Sequence, residues 1–203
     1  MKKMSALDRI LLLVTGVLAA YQIVVGIDGL STLPTAAYTI AFGVLLVAGL
    51  LLIIFGFDVL DSPLVVIVAA IIPLSLSLGL VTQYLPTLTM LYAAFAFAGL
   101  TAIAVTRFAA PGRVGTIVLA VVHGIAGLII FGLPILFSLQ GRTPIGFALV
   151  GVGGALIGLG GLMLAFLKAG KPILSQNIIL AALPGLLLLM MAAFVAGFAA
   201  PLR

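Results

Sequence analysis

Side chains that could carry acid–base or nucleophilic chemistry are scarce in this 203-residue sequence. It has no glutamate and no cysteine, a single histidine, and four aspartates. Each aspartate lies at the edge of an apolar segment or between two such segments. Acids inside membrane segments usually mark proton relays, ion paths or charged-substrate sites, because burying a charge in lipid is expensive. The sequence therefore argues against a proton pump, an acidic cation channel and a metal transporter, and it predicts no metal site.

His123 is the one titratable side chain deep inside an apolar segment, the fifth along the chain. Ala120, Gly124 and Gly127 flank it at helical spacing, so we expect it to face a neighbouring helix rather than lipid. In a functional role the imidazole would be an axial ligand of a haem or chlorin, a hydrogen-bond donor to a quinone, or a proton acceptor. The favoured alternative is a neutral imidazole bonded to a carbonyl or hydroxyl group of an adjacent helix. The sequence requires no cofactor.

Small residues recur at steps of three and four along the sixth apolar segment and predict one smooth helix face. Its members are Gly151, Gly154, Gly158, Gly161 and Ala165. Small residues let helix backbones approach closely, which is a main route to tight packing in lipid. The stripe could face a partner subunit, another helix of the same chain, or a flat cofactor or lipid. Packing within the chain is the favoured interpretation.

Proline and a few neutral polar groups interrupt the apolar segments. Pro73 and Pro184 each remove one backbone hydrogen bond and should bend their helices. In a transporter they would be hinges beside a path for a neutral solute. The amides and hydroxyls that would line this path are Gln22, Ser75, Ser77 and Asn177. The favoured alternative is that the hydroxyls bond to the preceding turn and the prolines only shape the bundle.

Motifs of soluble enzymes are missing from the sequence. There is no GxSxG, no HExxH and no GxxxxGK[ST], and Gly170-Lys171 is followed by Pro172 where a P-loop needs Ser or Thr. No pair of polar groups inside the segments could share acid–base work. We therefore expect no catalytic residues and no enzymatic activity.

The composition shows which solvent surrounds these residues. The hydrophobic fraction is 65% and the charged fraction is 6%, against about 45–50% and 25% in soluble domains. A spanning helix needs about 20 apolar residues, and breaks fall where charge, Pro and Gly cluster. The resulting spans are residues 10–27, 36–57, 63–82, 87–106, 114–137, 145–167 and 173–199. The sequence thus predicts one all-α transmembrane domain over residues 1–203, with seven helices and short loops.

The basic residues predict the orientation of this domain. With the N-terminus in the cytoplasm and the C-terminus outside, two of the nine Lys and Arg residues, Arg142 and Arg203, lie on the outer face. The other seven lie on the inner face: Lys2, Lys3, Arg9, Arg107, Arg113, Lys168 and Lys171. The tyrosines near the outer ends of the first four spans are expected to form half of an aromatic belt: Tyr21, Tyr38, Tyr84 and Tyr92. The scattered basic residues favour membrane orientation over nucleic-acid binding, and brevity and lack of cysteine suggest a prokaryotic cytoplasmic membrane.

Two parts of the chain echo each other. Gly49 to Phe57 followed by Pro63 matches Gly158 to Phe166 followed by Pro172, and Pro73 matches Pro184. The echo predicts three helices, a connecting fourth and three more in parallel. This layout is similar to that of the SWEET sugar transporters and their PQ-loop relatives. Their Pro-Gln motif does not occur here and the predicted orientation is opposite, so the resemblance is limited to topology.

Two functions from different classes remain open at this point. The first is a non-catalytic accessory or structural subunit that packs within a larger membrane complex, or forms a homo-oligomer, among the membrane lipids. The second is a small transporter for an uncharged or hydrophobic solute, built from two three-helix repeats. The inert interior and the short loops favour the first.

Overall fold

The computed structural model describes residues 3–27, 29–109, 112–168 and 174–200, with the backbone alone for residues 165, 166 and 168. Within these residues seven long helices are apolar enough to cross a membrane, so the protein is a multi-pass membrane protein. They are α1 (Ala6–Val25), α2 (Thr32–Phe55), α3 (Pro63–Tyr84), α4 (Thr89–Ala109), α5 (Arg113–Leu139), α6 (Ala148–Lys168) and α7 (Gln176–Phe198). Three short 3₁₀ helices join them, at Gly56–Asp61, Pro86–Leu88 and Ile145–Phe147. The predicted number of helices is confirmed.

Side-chain capping marks where α1 and α7 begin. Helix α1 begins four residues before the predicted span, because Ser5 and Asp8 form a capping box. The Asp8 backbone N–H donates to Ser5 Oγ over 3.1 Å, and the Ser5 N–H donates to Asp8 Oδ2 over 2.8 Å. Helix α7 begins at Gln176, after Ser175 as the N-cap, whereas the predicted start at residue 173 lies outside the described residues. Hydropathy locates the apolar length, and the Ser5 and Ser175 caps set the starts of these two helices.

Six of the helices form a closed ring, and the seventh lies outside it. Following the contacts around the ring gives the order α1, α2, α3, α5, α6, α7 and back to α1. Helix α4 packs on the outside against α3 and α5. Because consecutive helices run in opposite directions, α1, α3, α5 and α7 begin on one side, here called the near side, and end on the far side.

Aromatic rings fill the far half of the ring of helices. The Phe198 ring of α7 lies 5.0 Å from the Tyr38 ring and 6.0 Å from the rings of Phe42 and Phe147. Phe194 lies 6.2 Å from Phe42. Such tilted and edge-on pairs stabilise more than their buried area alone would. The α2 and α7 rings therefore meet across the middle of the bundle.

Aliphatic side chains and one phenylalanine fill the near half. Leu12 of α1, Leu52 of α2 and Leu180 and Leu183 of α7 form one buried cluster with Phe57. Pro73 and Pro184 are both buried, and α3 and α7 continue through them. The centre of the bundle is thus packed at both ends, and α2 and α7 contribute residues to both clusters.

Candidate functional site

The glycine stripe of α6 contacts α5 over part of its length. A Cβ atom on Gly151 would lie 2.6 Å from the Phe131 carbonyl oxygen, and one on Gly154 would lie 2.9 Å from the Phe131 nitrogen. At these two positions only glycine lets the backbones meet. A Cβ on Gly161 would have His123 Nε2 as its nearest neighbour, at 3.6 Å, and one on Gly158 would meet nothing within 4 Å. The side chain of Ala165 lies outside the described residues.

A second glycine contact, which sequence reasoning missed, joins α6 to α7. Cβ atoms on Gly153 and Gly160 would lie 2.7 Å from side chains of α7, those of Phe194 and Leu186. On the α7 side of the same contact, a Cβ on Gly197 would lie 2.6 Å from the backbone nitrogen of Val150 in α6. The spacing of Gly153 and Gly160 by seven residues was the available signal, but the denser stripe beside it hid this second face.

His123 lies half-buried on α5 at the edge of its contact with α6. No hydrogen bond joins its imidazole to another described residue, so the bond expected to a neighbouring helix is not formed within that part of the chain. Gly124 beside it is exposed, and a Cβ on either Gly124 or Gly127 would meet nothing within 4 Å. The described residues contain no group of three His, Cys, Asp or Glu that could hold a metal ion.

The register of α5 against α6 locates a notch beside this histidine. Gly154 meets Ile130 and Phe131, and Gly161 meets His123. Because the two helices run in opposite directions, Gly158 lies between these contacts, opposite Gly127. Neither glycine has a neighbour within 4 Å of an added Cβ. We call the surface formed by Ala120, His123, Gly124, Gly127 and Gly158 the His123 face.

The four groups predicted to line a solute path lie at different depths in the bundle. Gln22 is buried near the far end of α1, where its Nε2 donates to the Gly26 carbonyl over 2.9 Å. Asn177 is exposed in the first turn of α7, on the near side. Ser75 is half-buried in the middle of α3. These groups are therefore separated along the membrane normal.

Ser77, the fourth of these groups, is closed off by its own neighbours. Its hydroxyl donates to the carbonyl oxygens of Pro73, at 2.5 Å, and Leu74, at 3.1 Å. It accepts a hydrogen bond of 2.7 Å from the Tyr92 hydroxyl. Bonding back to the preceding turn satisfies this hydroxyl inside the helix, and Tyr92 covers its remaining side. The hydroxyl hydrogen and one of its two acceptor positions are thus used inside the bundle, where Ser77 is fully buried.

Three of the four tyrosines point inward, so the prediction that they form an aromatic belt is wrong for Tyr38, Tyr84 and Tyr92. The Tyr84 ring lies 5.4 Å from the Phe137 ring and 5.3 Å from the Phe147 ring, and its hydroxyl is buried. Tyr38 is 3% and Tyr92 is 8% exposed, whereas Tyr21 is 52% exposed. Tyr38 fills the space left by Gly79 of α3, where an added Cβ would lie 2.5 Å from its ring, and donates to Gln83 Oε1 over 3.1 Å. A hydroxyl that finds a partner inside can be buried, which hydropathy alone does not show.

Two cavities lie between α1 and α2. One is small, about 20 Å³, and is lined on its polar side by Gln22, Thr35, Tyr38 and Thr39. This is room for about one water molecule. The other, about 130 Å³, has only aliphatic side chains and glycine around it. Neither has the polar lining that recognition of a sugar-like solute would need.

No protein-family model, curated protein or solved structure matches this chain. The His123 face is the strongest candidate site, since it combines an intramembrane imidazole that has no hydrogen-bond partner among the described residues with a lipid-facing surface of small residues.

Proposed function

We propose that this protein is a non-catalytic subunit of a larger membrane assembly and receives a transmembrane helix of a partner on the His123 face. The observation that carries the proposal is the imidazole of His123. It lies about ten residues into α5, where it has no hydrogen-bond partner among the described residues. A polar group away from water costs several kcal/mol unless it is bonded. A group on a partner helix would remove this cost.

The surroundings of His123 suit a helix as the occupant. Ala120 and Gly124 are exposed and four residues apart, which is the spacing that lets two helix backbones come close in lipid. The notch between Gly127 and Gly158 admits a side chain of the incoming helix. A bond between helices at His123 would add about 0.6–2 kcal/mol to this packing.

The charge distribution supports placing the near side in the cytoplasm, in a cell membrane. Lys3, Arg9 and Arg113 are exposed on that side, and Arg142 is exposed on the far side. An excess of basic residues marks cytoplasmic loops. Because the loops outside the bilayer are short, a partner subunit would contact this protein mainly within the membrane.

The test compares substitutions that the isolated chain tolerates. Gly124→Leu adds a side chain into open space, so the fold is kept while the approach of a partner helix is blocked. Ala98→Leu on α4 is the matched control, since Ala98 is also small and exposed but lies away from His123. Native mass spectrometry after mild-detergent purification should show the partner with wild type and Ala98→Leu. A clash of about 1–3 kcal/mol should lower its yield about fivefold to a hundredfold with Gly124→Leu.

Several results of this experiment would speak against the proposal. A wild-type protein that is monomeric when extracted with native lipids would refute it, as would Gly124→Leu retaining the partner. A second copy of the chain in place of a foreign subunit would make the His123 face a homodimer surface. An absorption spectrum of the same preparation tests a haem or chlorin on His123 independently.

A small transporter for an uncharged or hydrophobic solute is the second candidate, and the order of the ring favours it. The contacts α1–α2–α3 are matched by α5–α6–α7, the two halves meet as α3–α5 and α7–α1, and α4 lies outside. This is the arrangement expected for a parallel 3+1+3 repeat, with Pro73 and Pro184 at matching places as hinges. Parallel repeats around an axis along the membrane normal occur in transporters.

Cysteine labelling separates the two candidates, because the chain has no cysteine of its own. Ser75→Cys in the middle of α3 should react with a water-soluble maleimide if a solute path opens, and should stay protected if the bundle stays closed. Asn177→Cys is the control, since Asn177 is exposed and should react in both cases. Protection of Ser75→Cys from both sides of the membrane favours the accessory subunit.

A further inference from the structure

The larger cavity between α1 and α2 is an aliphatic groove in the near half of the bundle. Its volume is about 130 Å³, and its lining includes Leu13, Gly16 and Ala20 on α1 and Leu46, Leu50 and Ile53 on α2. Leu13 and Leu50 are exposed, so the groove opens on the outer surface of the ring. From Leu12 to Ala20, α1 rises about 12 Å. The groove is thus a narrow slot along the membrane normal.

Arg9 lies on α1 just beyond the near end of this slot. Arg9 precedes Leu13, Gly16 and Ala20 at steps of four, three and four, which places all of them on one face of α1. Arg9 is exposed, and its guanidinium forms no ion pair or hydrogen bond with another described residue. It lies one turn, about 6 Å, beyond Leu13, where the helix leaves the apolar part of the sequence.

The two features together select the chemistry of the occupant. A guanidinium binds phosphate oxygens in a bidentate manner, and a slot with only aliphatic walls suits a hydrocarbon chain. A transmembrane helix with its side chains is about 10–12 Å across and cannot enter a cavity of about 130 Å³. We propose that Arg9 and the α1–α2 groove bind one anionic phospholipid, with its phosphate on the guanidinium and one acyl chain in the groove.

The position in the bilayer agrees with this occupant. In the orientation proposed above, the near side faces the cytoplasm, where the leaflet carries anionic lipids. The groove lies between α1 and α2, whereas the His123 face is formed by α5 and α6. The lipid site therefore rests on the proposed orientation but not on the accessory-subunit proposal, and both surfaces can be occupied together.

The test reconstitutes the purified chain in vesicles of phosphatidylglycerol and phosphatidylcholine and measures retained lipid by native mass spectrometry. We expect one phosphatidylglycerol to be held preferentially. Arg9→Gln should lower the preference for phosphatidylglycerol about five-fold, since a basic residue near the surface contributes about 1 kcal/mol. Ala20→Phe fills the groove and should lower the retention of both lipids. Arg113→Gln, which removes an exposed cation from the near end of α5, is the matched control.

Three results would overturn this inference. Equal effects of Arg9→Gln and Arg113→Gln would show a general attraction to the near side rather than a site. Full lipid retention by a folded Ala20→Phe variant would exclude the groove. Equal retention of phosphatidylglycerol and phosphatidylcholine by the wild type would exclude a headgroup contact. Arg9→Gln tests the headgroup contact even if Ala20→Phe fails to fold.

Discussion

The two glycines of the GxxxG sequence in α6 should respond in opposite ways to the same substitution. At Gly154 an added Cβ would lie 2.8 Å from Ile130 Cγ2 and 2.9 Å from backbone atoms of Ile130 and Phe131. Backbone atoms cannot swing away, so α5 and α6 must separate, and such overpacking costs about 1–3 kcal/mol. Replacing glycine by alanine inside a helix also raises helix propensity, which stabilises the folded chain by about 1 kcal/mol. Gly154→Ala should therefore destabilise the chain by up to about 2 kcal/mol.

At Gly158 the same change meets nothing within 4 Å. Only the gain in helix propensity remains, so Gly158→Ala should stabilise by about 0.5–1 kcal/mol. Because the propensity gain is common to both variants, they differ by the overpacking cost of about 1–3 kcal/mol, a factor of roughly 5 to 150 in the folding equilibrium. Reversible unfolding of the isolated chain in mixed micelles with increasing SDS measures this difference. Equal shifts for the two variants would refute the register of α5 against α6 given above.

Two further predictions concern the buried tyrosines, and the same unfolding assay checks them. Tyr92→Phe removes the hydrogen bond to Ser77 and should lower the free energy of unfolding by about 0.5–1.5 kcal/mol. Tyr21→Phe, at an exposed tyrosine, should change it by less than about 0.5 kcal/mol, and equal effects would contradict the buried position of Tyr92. Gly79→Ala should cost about 1–2 kcal/mol because its Cβ would overlap the Tyr38 ring, and retention of wild-type stability would show that Tyr38 is free to move.

The apolar segments could be predicted from the sequence because lipid imposes their length. Each span needs about 20 residues without charge, and the seven long helices follow the predicted segments closely. The start of α1 was also readable, since Ser5 followed three residues later by Asp8 is a capping signal. Hydropathy misplaced this start because the first turn contains charged residues.

The direction of each side chain could not be predicted in the same way. In a soluble helix the apolar face identifies the core, but here both lipid-facing and buried positions are apolar. Phe97 is 76% exposed and Phe42 is 2% exposed, although both lie within strongly apolar spans. For the same reason the sequence does not distinguish Tyr21, which faces outward, from Tyr38, which faces inward.

The glycine stripe shows a similar limit at the candidate site. The spacing of Gly151, Gly154, Gly158 and Gly161 predicts that a helix comes close, but not at which of them. That depends on how α5 and α6 cross. Their backbones meet at Gly151 and Gly154, whereas Gly161 has only the His123 side chain nearby. Helices α5 and α6 separate toward the near side, which leaves the notch, and this separation follows from the angle at which they cross and not from the glycine spacing.

The two halves of the ring differ in how their helices are held, and this difference bears on the choice between the two functions. Between α2 and α3 the contact is a tyrosine ring on Gly79, with one hydrogen bond to Gln83. Between α6 and α7 it is Gly197 against the backbone of Val150, with Phe194 against Gly153. Backbone contacts at this distance leave no room for sliding, since packed interfaces do not deform continuously. A transport cycle needs movement between or within the halves, so the half with the Gly197 backbone contact is better suited to a surface that stays fixed for a partner. The notch beside His123 lies on that half.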